Sequence, residues 1–348
     1  MRGRVPPRVS LPSVKGLGQR LRGAFPGLLL AAIIALASKF ISEHYGAPAM
    51  LLALLFGIAL NFMADDARCG PGIAIAARDV LRLGVALLGL RISFGMVGAL
   101  GWPVVTMVVA MVPLTIGFGF AASRLFGFRY RFAFLSAGAV AICGASAALA
   151  IAAILPRDAK SDDRLVFTVV GVTILSTLAM ILYPLLSHAM HFDDVTAGIY
   201  IGATVHDVAQ VVGAGFSISD EAGETATLVK LLRVAMLAPV VILAALVLRS
   251  GETAPEGARP PLVPGFVLAF VALATLNTVL PLPEAVQRLA QDGSGWLLLV
   301  AIAAVGLRTR PAEILKVGRP AAALLLAETV FMAAAVALAI KVFDLHPL

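Results

Sequence analysis

Residues 132–156 read FAFLSAGAVAICGASAALAIAAILP, and residues 195–216 read VTAGIYIGATVHDVAQVVGAGF. Both are apolar enough and long enough to belong in a bilayer, where a spanning helix needs about 20 residues. Each nevertheless carries at its centre what a plain spanning rod avoids. The first holds the small-residue run Ala141-Ile142-Cys143-Gly144-Ala145-Ser146-Ala147. Small residues let backbones approach closely, and Gly144 can leave helical geometry. The second holds His206, Asp207 and Gln210, polar side chains that are costly in hydrocarbon unless they face a cavity or a partner. Both segments are therefore expected to be irregular.

The rest of the chain sets the context. Of 348 residues, 60% are hydrophobic and only 14% are charged, against about a quarter charged in soluble domains. Lipid is the solvent that removes the need for polar cover. Eleven apolar stretches follow one another near 26–42, 47–63, 80–98, 102–121, 132–155, 165–190, 195–216, 225–248, 263–280, 295–308 and 320–341. No useful strand alternation appears, which argues against a β-barrel. The expected fold class is an all-α polytopic membrane protein of about 9–11 transmembrane segments, two of them broken or re-entrant.

Residues 1–25 read as a basic, disordered cytoplasmic tail, and residues 26–348 as one membrane domain with a cytoplasmic linker near 249–262 (RSGETAPEGARPPL over 249–262). Ala35-Leu36-Ala37 resembles a leader-cleavage site, but the tail is long for a leader and more spans follow, so the first helix is read as uncleaved. Segment 64–82 is half polar and is expected to lie in the interface ahead of the third span.

The net charge is +7. Nucleic acid is not the expected partner, because the basic residues sit in short loops between apolar runs, as the positive-inside rule requires. On that rule the tail is inside, with Arg68, Arg78, Arg82, Arg124, Arg129, Arg131, Arg249, Arg259, Arg308, Arg310, Lys316 and Arg319. One loop tests the scheme. If 132–155 and 195–216 both cross fully, Arg157, Lys160 and Arg164 fall outside. If the two re-enter from opposite sides, those three residues fall inside and every other loop stays put. The bias favours opposed hairpins, and Asp158, Asp162 and Asp163 in the same loop weaken it.

A break near Gly144 would leave N–H groups at the start of a half-helix, an end that suits an anion; tight packing alone is the competing reading. His206 and Gln210 share a helix face, while Asp207 points elsewhere. Lys230 and Arg233, preceded by Glu224 and Thr227, recur every three residues and lie about a turn into their span. They either snorkel to the surface, pair with Asp207, or attract an anion. Arg91 and Arg308 each close a Gly-Leu-Arg tripeptide on opposite sides, as an inverted repeat would produce, or serve as interface anchors. Glu328 is the costly carboxylate of the last span, suited to proton relay or to pairing with an arginine. One imidazole in reach argues against a zinc site, and Cys143 has no base placed beside it by the sequence, so no metal, cofactor or enzyme activity is expected. No G-x-x-x-x-G-K-[ST] loop is present, so any active transport is ion-coupled or needs a partner.

VHDVAQVVGAG (205–215), TLVKLLRVAMLAPVV (227–241), ICGASAALA (142–150) and LGVALLGLRIS (83–93) together resemble the YeiH family of bacterial inner-membrane proteins, labelled sulfate exporters. The likeness runs over nearly all of the chain after the basic tail. It implies a multi-span fold related to inverted-repeat antiporter and bile-acid-symporter architectures. By motif match it carries over Cys143, Gly144, Ser146, His206, Asp207, Gln210, Lys230 and Arg233 as candidate substrate-binding residues.

The expectation is a secondary transporter of a small anion, such as a sulfur oxyanion or organosulfonate, in the bacterial inner membrane with the N-terminus cytoplasmic. A cation/proton antiporter using Asp207 and a non-transporting membrane scaffold are the alternatives. The expected partners are the anionic solute and membrane lipid; a homodimer is open.

Overall fold

A computed structural model describes residues 14–45, 47–91, 94–156, 158–248, 265–280, 282–309 and 319–345. The linker 249–262 with Arg249 and Arg259, residues 1–13, Arg157, Arg310 and Lys316 lie outside the described residues. Among the described residues every regular element is helical. Six helices are long and apolar enough to cross a membrane: Gly23–Tyr45, Leu100–Leu125, Asp163–Ala189, Asp220–Val247, Ala285–Arg308 and Arg319–Val342.

In chain order the helices are α1 (Val14–Tyr45), α2 (Ala49–Ala59), α3 (Gly70–Ile75), α4 (Leu81–Leu88), α5 (Phe94–Leu125), α6 (Tyr130–Ala141), α7 (Ala145–Ile154) and α8 (Ser161–Ala189). They continue as α9 (Asp194–Thr204), α10 (Val208–Phe216), α11 (Asp220–Ala235), α12 (Leu237–Leu248), α13 (Gly265–Val279), α14 (Glu284–Arg308) and α15 (Arg319–Val342). They form two packed groups. In one, α14 lies against α2 and α4, with α1 on α2 and α3 and α13 on α4. In the other, α5 packs on α6 and α15, α9 on α11 and α15, and α8 on α7 and α10.

Several sequence boundaries move. The first helix begins at Val14, inside the stretch read as tail. The third span, expected at 80–98, is a helix from Gly70 to Leu88 with a π turn at Ala76–Val80. Residues 70–82 of the half-polar stretch are thus part of the helix, because a π turn absorbs one extra residue without breaking the rod. The helix ends at Gly89, and α5 is itself interrupted at Gly101, whose φ is 74°. The span expected from 295 starts at Glu284: exposed polar side chains carry its first turns beyond the apolar stretch.

The two irregular segments are indeed broken. α6 stops at Ala141 and α7 starts at Ala145; α9 stops at Thr204 and α10 starts at Val208. Each pair then doubles back on itself. Gly138 of α6 lies against the Ile151 side chain of α7. At the open end, Arg131 beside the start of α6 reaches Asp158 beyond α7 at 2.7 Å. A straight run over those 27 residues would hold them about 40 Å apart.

The second pair is fixed by α11. Moving along α9, Gly198 faces Ala222 and Thr225, then Gly202 faces Ala226 and Val229, so α9 and α11 run the same way. At the end of α10, Gly215 faces Gly223, so α10 runs back toward the start of α11. A β-carbon on Gly202 would sit 2.8 Å from the Val229 Cβ, which is why this close approach needs glycine. α7 leans instead on α12, at the far end of the same long helix. The two hairpins therefore enter from opposite ends.

Candidate functional site

The hairpin tips meet. Gly144 has φ 62° and ψ −125°, a conformation that side chains with a β-carbon rarely adopt. A β-carbon placed there would lie 3.7 Å from the carbonyl carbon and oxygen of His206. On the other side of the contact the chain is extended at Val205 and Asp207. Four half-helix ends thus converge: the carbonyl ends of α6 and α9, and the amide ends of α7 and α10.

Two cations from α11 hold the carbonyl ends. Lys230 Nζ donates to Ile142 O at 2.7 Å and to Val205 O at 2.9 Å. Arg233 Nη2 donates to Val140 O at 2.9 Å and Ala141 O at 2.8 Å, and its Nη1 to Gly202 O and Val205 O, both at 3.1 Å. Both side chains are buried, at 0% and 1% exposure. Neither snorkels, and among the described residues neither forms an ion pair with Asp207, so both of those expectations fall. The physical reason lies in the breaks. The last carbonyls of a helix lack partners, and a buried cation finds in them the dipoles it needs.

The amide ends differ from each other. Asp207 caps α10, accepting from the Ala209 N–H at 3.3 Å, while its own N–H donates to Ser176 Oγ at 3.0 Å. Asp207 is half-buried. α7 starts at Gly144 with no side-chain cap. Ser146, one residue into α7, is exposed, so that end is reachable. Cys143 is a free, buried thiol between the two half-helices. His206 Nε2 contacts Thr329 Oγ1 at 2.9 Å, and Gln210 Nε2 reaches Thr177 Oγ1 at 3.5 Å.

The structure thus gathers Cys143, Gly144, His206, Asp207, Lys230 and Arg233 at one crossing, with Gln210 a turn away and Ser146 on the accessible side. Sequence reading missed α15 as the bracket across both hairpins. Glu328 accepts from Ser136 Oγ of α6 at 2.8 Å, and the adjacent Thr329 meets His206. Glu328 therefore pairs with a serine and not with an arginine. Its depth in the last span was the one available signal. Three buried side-chain atoms around the tips have no hydrogen-bond partner among the described residues: His206 Nδ1, Gln210 Oε1 and Glu328 Oε2. Buried polar atoms are nearly always satisfied, so this is where a bound ligand or water would gain most.

Arg91 and Arg308 part company. Arg91 pairs with Glu224 and lies 3.7 Å from Asp220, at the entry of α11, whereas Arg308 is exposed. The shared tripeptide does not extend to the arginines' surroundings.

Six apolar helices and a polar crossing buried among them define a multi-pass membrane protein. The family model described as conserved hypothetical protein 698 matches residues 26–325, and the chain belongs to that family. It is 57% identical to UPF0324 membrane protein TauZ of Paracoccus denitrificans, over 92% of this chain and 96% of the relative. To the TauZ protein of Paracoccus pantotrophus it is 58% identical, over 89% of this chain and 93% of that one. UPF0324 membrane protein RB0971 of Rhizobium meliloti is 55% identical over 88% and 90%. These relatives agree with the YeiH-type resemblance. No solved structure matches.

Proposed function

We propose that this protein is a secondary transporter, not an enzyme, that moves a small anion across the bacterial inner membrane. The two broken segments re-enter the bilayer from opposite faces, with the N-terminus cytoplasmic. One observation carries the reading: the uncapped amide end of α7 opens onto a crossing where two buried cations, among the described residues, bond to backbone carbonyls and form no ion pair.

The charge balance favours an anion. Lys230 and Arg233 bring two positive charges. The carbonyl ends of α6 and α9 return about half a negative charge each, and the amide ends of α7 and α10 add about half a positive charge each. Asp207 subtracts one. The remainder is about one positive unit, which a monoanion such as a sulfonate or a singly charged sulfur oxyanion neutralises. On this reading Lys160 and Arg164 fall inside with Arg129 and Arg131, and agreement with the positive-inside rule supports it.

Proteoliposome flux measurements test this. Sulfite, sulfate, an aminosulfonate and sodium are offered with and without a pH gradient. The reading expects an anion to move and to respond to the gradient. Asp207, half-buried at a half-helix start, favours one rival: a cation/proton antiporter with that carboxylate as the ion ligand. If sodium moves, no anion does, and Asp207→Asn abolishes the flux, the rival is right and the anion reading is wrong.

A further inference from the structure

Away from the crossing, a cavity of about 610 Å³ opens where α6 and α8 begin and α15 enters its span. Four cations line it, Arg129, Arg131, Lys160 and Arg164, against two carboxylates, Asp158 and Asp163. The surplus is two positive charges. Asp158 is already committed: Arg131 and Arg164 both reach it at 2.7 Å. Among the described residues Arg129 and Lys160 are the lining cations that form no ion pair, and they are left to meet a ligand.

The depth of this cavity is fixed by the spans around it. The span Leu100–Leu125 ends beside it, and the spans starting at Asp163 and Arg319 begin there. This is the level where hydrocarbon gives way to headgroups. The cavity is not merely charged, because Phe128, Phe132 and Phe167 also line it, with rings packed at centroid distances of 4.5 Å and 5.9 Å. A free inorganic anion has no use for an aromatic floor, whereas a molecule with a phosphate above and an acyl chain below matches both halves.

We propose that this cavity binds the phosphate headgroup of an anionic phospholipid, with Arg129 and Lys160 as its phosphate contacts and the phenylalanines under its glycerol and acyl portion. Basic pockets between spans on the cytoplasmic side take such headgroups. Here the site straddles both ends of the α6–α7 hairpin, so the lipid fastens that hairpin to α8. The inference does not depend on what the protein transports, and its test reads binding.

The purified full chain in a neutral detergent is titrated with short-chain phosphatidylglycerol, short-chain phosphatidylcholine or inorganic phosphate, and its thermal midpoint is followed. Phosphatidylglycerol is expected to raise the midpoint saturably, and the other two to leave it unchanged. A basic residue held against an anionic headgroup contributes about a fivefold factor in affinity. The double variant Arg129→Ala/Lys160→Ala is therefore expected to shift the phosphatidylglycerol titration by about twentyfold or more. Arg124→Ala, an exposed charge on the same side that does not line the cavity, is expected to leave it in place. Native mass spectrometry supplies a second readout, counting retained phosphatidylglycerol on wild type and double variant at a temperature where both are folded. Equal retention, an equal shift from Arg124→Ala, or a response to inorganic phosphate as strong as to the lipid would each overturn the proposal.

Discussion

Lys230 Nζ lies 2.7 Å from the carbonyl oxygen of Ile142 and so ties α11 to the tip of the first hairpin. Its second bond, to Val205 O at 2.9 Å, ties the same ammonium to the other hairpin. One side chain thus spans both breaks, and its removal is expected to act on the fold before it acts on flux.

Lys230→Met is accordingly expected to destabilise the protein by at least about 3 kcal/mol, since each hydrogen bond to a charged group contributes about 1.5–3 kcal/mol. Lys230→Arg should recover part of that loss. Thermal midpoints in one detergent check this. A midpoint for Lys230→Met equal to wild type would show that the carbonyl ends do not need the ammonium.

Gly144→Ala separates backbone strain from crowding. A β-carbon there meets His206 at 3.7 Å, an ordinary contact, so space is not the obstacle. The obstacle is the backbone: a φ of 62° with a ψ of −125° is strained for any residue that carries a β-carbon. The expected cost is about 1–3 kcal/mol. Gly144→Asn should not rescue it, because ψ lies far from the left-handed helical value that asparagine tolerates. Equal midpoints for the three proteins would contradict the assigned backbone geometry.

Asp207 has two separable roles. Asp207→Asn keeps a side-chain acceptor for the Ala209 N–H, so folding is expected to be near normal; Asp207→Ala should lose about 1 kcal/mol as a deleted cap. If the carboxylate charge serves transport, both variants lose flux while only alanine loses stability. Unchanged flux in Asp207→Asn would remove the charge from the mechanism.

The clamp at the base of the first hairpin has a defined pH range. Hydrogen bonds from Arg164, with help from the Lys160 N–H and Arg131, hold the Asp158 carboxyl down to about 2, against an ordinary value of 3.8. A depressed carboxyl stabilises the fold above its unfolded value and loses that contribution as pH falls through the folded one. The stability gap between wild type and Asp158→Asn is therefore expected to stay constant from about pH 5 to 8 and to narrow only below about pH 4. A gap that changes around neutral pH would assign the clamp to another group.

The doubled-back hairpins predict sidedness. In a background lacking Cys69 and Cys143, cysteines at Arg129 and Lys160 should react with an impermeant maleimide from the same face of a sealed vesicle. Cysteines at Ala189 and Glu221 should react from the opposite face. Full crossing of either segment would split its pair.

Much of this was readable along the chain. The spans over 102–121, 165–190 and 320–341 match helices to within a few residues, because long apolar runs have no other stable state in a bilayer. Glu328 was visible as costly, yet its partner Ser136 lies 192 residues away, and no periodicity reports such a pairing. The span beginning at Glu284 was cut short because polar residues on an exposed helical face look like a loop when hydropathy alone is averaged.

The amino-acid sequence by itself determined that this chain lives in lipid, where its polar residues stand, and that the segments around Gly144 and His206 would not be plain rods, since transfer cost and backbone freedom are properties of single residues. Only the tertiary structure decided that both segments turn back, that their tips touch, and that Lys230 and Arg233 spend their charge on carbonyl ends instead of on Asp207. Those outcomes depend on which helix ends come within about 3 Å of one another, and such distances are set by packing between residues far apart in the chain.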